Sequence, residues 1–159
     1  MKILVYNKRD FNKFMIYNNI TDENVESKDM LIVSINDFVE NIYSHFRRQH
    51  PNVMIMHFGD YGEEEAMNEL KNNPSCHGVF NAYKAKKLYK FIKANKDKNL
   101  AVIHCAGGIS RSGAVGTFIF DMYGEGTYEE FKRKNPRIQP NQCILKLLNE
   151  QRRKDDLNK

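Results

Sequence analysis

Residues 100–113, Leu-Ala-Val-Ile-His-Cys-Ala-Gly-Gly-Ile-Ser-Arg-Ser-Gly, constrain the fold more than any other stretch of the chain. An apolar run with the length of a buried strand gives way to a loop holding Gly107 and Gly108, then to a helical pattern. That pattern continues over residues 111–123, with Val115, Phe118, Ile119 and Met122 spaced for burial. A helix so apolar belongs in the core, beside the sheet that its own strand enters. A strand running straight into a buried helix is half of a parallel α/β unit, and the remaining chain has to supply the rest of the sheet.

The flanking segments meet that demand. Residues 31–35 are continuous and β-branched, residues 53–58 form another apolar strand, and residues 3–6 and 13–17 read as two short strands. Those two short strands are expected to form an extra N-terminal hairpin at the sheet edge. Asn36 or Asp37 caps an expected helix running through Phe46, with Phe38, Ile42 and Phe46 on one face. Helical periodicity also covers residues 63–71, 79–95, 127–132 and 144–152. The charged residues 153–159 read as a frayed tail. At 159 residues the chain is expected to form a single domain over residues 1–152, an α/β fold with a central, mostly parallel sheet flanked by helices. In such sheets a ligand sits at the carboxyl ends of the strands, where Cys105 falls.

The loop between that strand and helix carries the chemistry. A loop entering a helix N-terminus offers free backbone N–H groups and the positive end of the helix dipole. The amides of Ala106, Gly107, Gly108, Ile109, Ser110 and Arg111 suit the oxygens of a phosphate, and the Arg111 guanidinium can close on two of them. The same field favours a thiolate, making Cys105 a nucleophile, and the Ser112 hydroxyl can hydrogen-bond to it. No G-x4-G-K-[ST] string occurs in the chain, which excludes a P-loop nucleotidase.

The string His104-Cys105-x5-Arg111-Ser112 resembles the signature loop of the cysteine-dependent protein tyrosine and dual-specificity phosphatases. Its fuller form is most similar to compact phage and bacterial predicted tyrosine phosphatases. The resemblance spans roughly residues 30–150 and leaves the first two strands outside it. It implies a tyrosine-phosphatase-like sheet, a cysteinyl-phosphate intermediate, no metal or other cofactor, and a phosphorylated protein as partner, with phosphotyrosine leading. It also makes His104 a support of the loop, and Asn141, in a Pro140-Asn141 pair, a buttress of the site.

A departing alkoxide or phenoxide needs a proton from a general acid. Asp97 precedes the central strand, roughly 16 Å from the nucleophile at 3.3 Å per residue, and Glu69 lies in the body of a helix. Asp60 follows a strand that ends on the same side as Cys105, between Gly59 and Gly62, and Phe58-x-Asp60 resembles the acid loop of the phage and bacterial members. Asp60 is therefore the expected acid, with Glu64 in reserve. His45, His50, His57 and His77 show no metal-ligand spacing. Cys76 and Cys143 are expected to be free thiols, in keeping with a reducing compartment.

The formal charge of +5 owes much to lysines 84–98, most of them on one expected helix face. A solvated face is preferred over a nucleic-acid surface, although an RNA 5′-phosphatase and a non-catalytic phosphate-binding module stay open as alternatives. The first apolar run is too short for a signal peptide and no stretch reaches the length of a membrane span, so a cytoplasmic protein without a membrane partner is expected.

Overall fold

Four strands alternate with six helices in the computed structural model, which describes residues 1–38, 44–73 and 78–159. The strands are β1 (Lys2–Asn7), β2 (Met30–Asn36), β3 (Val53–His57) and β4 (Leu100–Cys105). They form one parallel sheet in the order β1-β4-β2-β3. The helices are α1 (Lys8–Tyr17), α2 (Glu63–Asn72), α3 (Ala82–Ala94), α4 (Arg111–Tyr123), α5 (Tyr128–Lys134) and α6 (Gln142–Leu157). The central strands β2 and β4 are buried on both faces, as a parallel sheet covered by helices requires.

Successive residues of these strands feed opposite layers. Ile32 and Val102 pack with Phe11 and Met15 of α1, together with Val53 and Phe46. Leu31, Val33, Ala101 and Ile103 face Leu88, Ile92, Val115, Phe118 and Leu148, contributed by α3, α4 and α6. Register places the chemistry along one edge. Asn7 is opposite Cys105, Ser34 is opposite His104, and Asn36 pairs with His57, so the carboxyl ends of all four strands meet around the loop after β4.

The two outer strands are closed by side-chain amides. Asn135 accepts from the Val5 amide at 2.8 Å and donates to the Ile3 carbonyl at 3.0 Å. Gln49 does the same for β3, accepting from the Ile55 amide at 2.7 Å and donating to its carbonyl at 2.8 Å. Each device occupies backbone groups that an edge strand otherwise offers to another chain.

Three sequence expectations change. Residues 13–17 are not a strand but the second half of α1, and the N-terminal hairpin does not form; β1 instead pairs in parallel with β4. The cause lies at Asn7, whose side chain accepts from the Asp10 amide and caps a helix starting at once after the strand. Residues 153–157 are helical rather than frayed, because Asp155 takes bonds from Lys93 Nζ at 2.6 Å and Tyr89 Oη at 2.9 Å on α3. The expected helix through Phe46 falls partly on residues 39–43, outside the described residues. On either side of them Asp37 and residues 44–46 are not helical, and His45 has φ of 68°. Cys76 and His77 also lie outside the described residues. Among the described residues no helix is long and apolar enough to cross a membrane.

Candidate active site

The loop over residues 106–110 is held from outside by its carbonyls. Ala106 O accepts from the Lys8 amide at 3.3 Å, Ile109 O from the Gln139 amide at 2.9 Å, and Ser110 O from the Ala114 and Asn141 amides at 2.9 and 3.0 Å. The amides of Gly107, Gly108, Ile109 and Ser110 donate to no protein acceptor among the described residues. With three of the loop's carbonyls bonded into the protein, these amides are left for an anion, as in a nest at the start of α4. Gly108 makes the tight turn possible. Its φ is +67°, and a Cβ there would sit 2.5 Å from the Asn7 amide nitrogen.

Cys105 ends β4 and is buried, with Sγ 3.0 Å from Ser112 Oγ. Arg111 opens α4 and is also buried. Its Nη1 donates to Asp37 Oδ1 at 2.7 Å and to the Phe58 carbonyl at 2.8 Å. Both bonds use one nitrogen, so Nε and Nη2 have no protein acceptor among the described residues and form a ready fork.

His104 is fully buried against the Phe11 ring, with centroids 4.1 Å apart. Burial pushes its pKa down to about 4; the Cys105 carbonyl works against this, while the charges of Lys8 and Arg111 add to it. With the ring neutral, Ser34 Oγ–H donates to Nε2 at 2.6 Å, and Nδ1–H is left for the Cys105 carbonyl at a long 3.4 Å. Asn36 Nδ2 donates to Ser34 Oγ at 3.3 Å and its Oδ1 accepts from Ser44 Oγ at 2.7 Å, extending the chain to the segment after β2.

Asp60 reaches the same loop. Its Oδ1 accepts from Ser110 Oγ and Asn141 Nδ2, both at 2.8 Å. No protein donor meets Oδ2 among the described residues, leaving it open to a reacting group. Asn141 caps α6 by accepting from the Ile144 amide at 3.0 Å and also donates to the Tyr61 carbonyl at 2.8 Å. Through its side chain and its backbone amide, Asn141 thus ties the Asp60 loop, the loop over residues 106–110 and α6 together. Glu64 is exposed on the first turn of α2 and makes no bond to this cluster among the described residues.

The sequence-predicted residues Cys105, Arg111, Ser112, His104, Asp60 and Asn141 therefore meet at one sheet edge. Sequence reasoning missed Asp37, Ser34 and Gln139. Asp37 carries a partial signal, an acid just past a strand end, but its reach to Arg111 depends on β2 lying next to β4, and Asn36 or Asp37 reads equally as a helix cap. Cys105 and Cys143 are both free thiols, and among the described residues no three His, Cys, Asp or Glu side chains are grouped to hold a metal. No family model matches the chain, and no curated protein is significantly similar to it.

Proposed function

We propose that the protein is a cysteine-dependent phosphomonoester hydrolase. The observation that carries this reading is the set of four unbonded amides in a loop closed at one end by Cys105 and at the other by Arg111. The thiolate of Cys105 attacks phosphorus, an S–P bond forms, and the P–O bond to the alcohol breaks. Arg111 and the loop amides hold the three non-bridging oxygens as charge builds on them. Asp60 delivers its proton to the departing oxygen. The resulting carboxylate then takes a proton from water as that water attacks phosphorus, and the S–P bond breaks. Ser112 donates to the thiolate as it leaves.

Phosphotyrosine is the substrate implied by the resemblance. Ile109, in the loop and about two-fifths exposed, and Phe38, about half exposed and next in sequence to Asp37, offer apolar surface for its ring. The alternative of a phosphate-binding module without turnover is separated by one experiment. Cys105→Ser should abolish phosphate release from p-nitrophenyl phosphate and retain vanadate affinity, since the amides and Arg111 remain. Vanadate and thiol alkylation should block the parent, and EDTA should leave it active. Equal turnover by parent and variant removes Cys105 as nucleophile.

A further inference from the structure

We propose that the groove beside the 106–110 loop is the track for a single-stranded polynucleotide whose terminal phosphate enters the cradle, an inference that rests on the phosphomonoesterase reading. The sheet order sets its location. Strand β1 lies next to β4 with Asn7 opposite Cys105, so the outer edge of β1 leads directly away from the loop. Two cavities that meet at Lys134 make a groove along that edge. Its first part, about 260 Å³, is bounded by Gly107, Gly108, Arg9, Lys134 and Arg137. Its second part, about 470 Å³, shares Lys134 and continues to Lys2, Arg133 and Phe120. Six residues of strand make the track roughly 20 Å long.

Charge along the groove favours a polyanion. Arg133, Lys134 and Arg137 are exposed and form no ion pair among the described residues. The three acids that share the groove are already engaged. Asp10 pairs with Arg9 at 3.3 Å, Glu125 with the Met1 ammonium at 2.6 Å, and Glu130 accepts from the Thr127 amide at 2.8 Å. Arginine forks and lysines spaced along a groove engage successive phosphates without reading sequence.

Two further features favour a nucleic acid over a phosphopeptide. An extended peptide docking on a sheet edge gains much of its affinity from main-chain bonds, but Asn135 already occupies Ile3 O and Val5 N. At the far end the half-buried Phe120 stacks at 13° on the buried Phe131, and the neighbouring Tyr128, nearly half exposed, leaves a ring for a base. A basic groove with aromatic faces is the usual means of holding unpaired bases.

The test compares kcat/KM for dodecathymidylate phosphorylated at its 5′ or 3′ end with thymidine monophosphate and a phosphotyrosine peptide, from 50 to 300 mM salt. One of the two dodecamers should exceed the mononucleotide and the peptide by about tenfold or more, and which one identifies the end that is read. Its log–log salt slope should be about −2, as three phosphate contacts predict for single strands. The double variant K134A/R137A should flatten that slope by about 1.4 and leave p-nitrophenyl phosphate turnover unchanged. A dodecamer no better than the mononucleotide, a peptide better than both, or a double variant with an unchanged slope each overturns the track. If p-nitrophenyl phosphate is not turned over at all, the phosphomonoesterase reading fails instead. Fluorescence anisotropy of a labelled, phosphorylated dodecamer on Cys105→Ser still decides the track, with salt-insensitive or absent binding counting against it.

Discussion

Arg111 is a buried cation whose position depends on two acceptors contributed by other strands, the Asp37 carboxylate after β2 and the Phe58 carbonyl after β3. An unpaired buried guanidinium is costly, so Asp37 both lowers that cost and fixes which edge of the fork is free for substrate. Asp37 is thus a positioning residue. Asp37→Ala should weaken vanadate binding and lower kcat/KM on p-nitrophenyl phosphate by about 10- to 100-fold, the scale of a misplaced catalytic group. Asp37→Asn, which keeps an acceptor, should recover part of the loss. An unchanged vanadate affinity in Asp37→Ala would mean that the Phe58 carbonyl suffices. Asp60 has a different signature because its role depends on the leaving group. Asp60→Asn should slow phosphotyrosine hydrolysis by roughly 10² to 10⁴-fold. It should slow P–O cleavage of p-nitrophenyl phosphate much less, because p-nitrophenolate departs without full protonation. Measuring kcat/KM for both substrates checks this, and small, equal losses would move the acid role away from Asp60.

Helix α4 connects the site to the core, and its first nine residues, Arg111 through Ile119, are all buried. It packs so closely on β1 that a Cβ at Gly116 would lie 2.6 Å from Val5 Cγ2. Valine is stiff at χ1, so Gly116→Ala forces the two elements apart. Overpacking of this kind costs about 1–3 kcal/mol, against a gain of about 1 kcal/mol in helix propensity. A fall of a few degrees in Tm is expected, and Val5→Ala in the same chain should recover it; a Tm that rises on Gly116→Ala would show that the interface yields. The legibility of each element in the sequence follows its environment. The strand and helix around Cys105 are predominantly apolar, and burial on every side is what composition reports best. Helix α1 departs from its sequence expectation because Ile16 and Tyr17 are apolar yet 70% and 91% exposed, so residues 13–17 present the composition of a strand on the surface of a helix. Asp60 was legible from its place after a strand, whereas the bond from Asp37 to Arg111 depends on β2 lying next to β4. Strand order is a tertiary fact that periodicity along the chain does not contain.

On the scale of the whole molecule, His104 belongs to both the site and the core, and acid is expected to dismantle them together. His104 titrates at about 4 in the folded protein, because burial penalises its charged form, against about 6.5 in an unfolded chain. Between those values the unfolded chain binds the extra proton, so stability falls as pH drops from about 7 toward 4 and levels off below. A displacement of that size corresponds to about 3 kcal/mol. For a chain of this length the expected loss is roughly 6–12 °C in Tm. A second loss should follow below pH 4. Burial of the Asp22 carboxyl tends to raise its pKa, but the bonds from His50 and the Arg47 amide outweigh this and hold it below the ordinary value. Its stabilising contribution therefore disappears only as pH falls through that lowered range. Thermal unfolding from pH 8 to 3 should show both phases. His104→Gln, neutral throughout, should lose the first phase and keep the second, and a parent Tm that stays flat between pH 7 and 4.5 would mean that the ring is protonated within the fold. Charging His104 would place a cation beside Arg111 and reverse the Ser34 bond, with Nε2–H donating to Oγ and the Ser34 hydroxyl proton losing its acceptor. Acid unfolding should therefore remove the site together with the core, and phosphate release per folded molecule should show no separate step at the His104 transition, as fluorescence and phosphate release measured on the same samples would report.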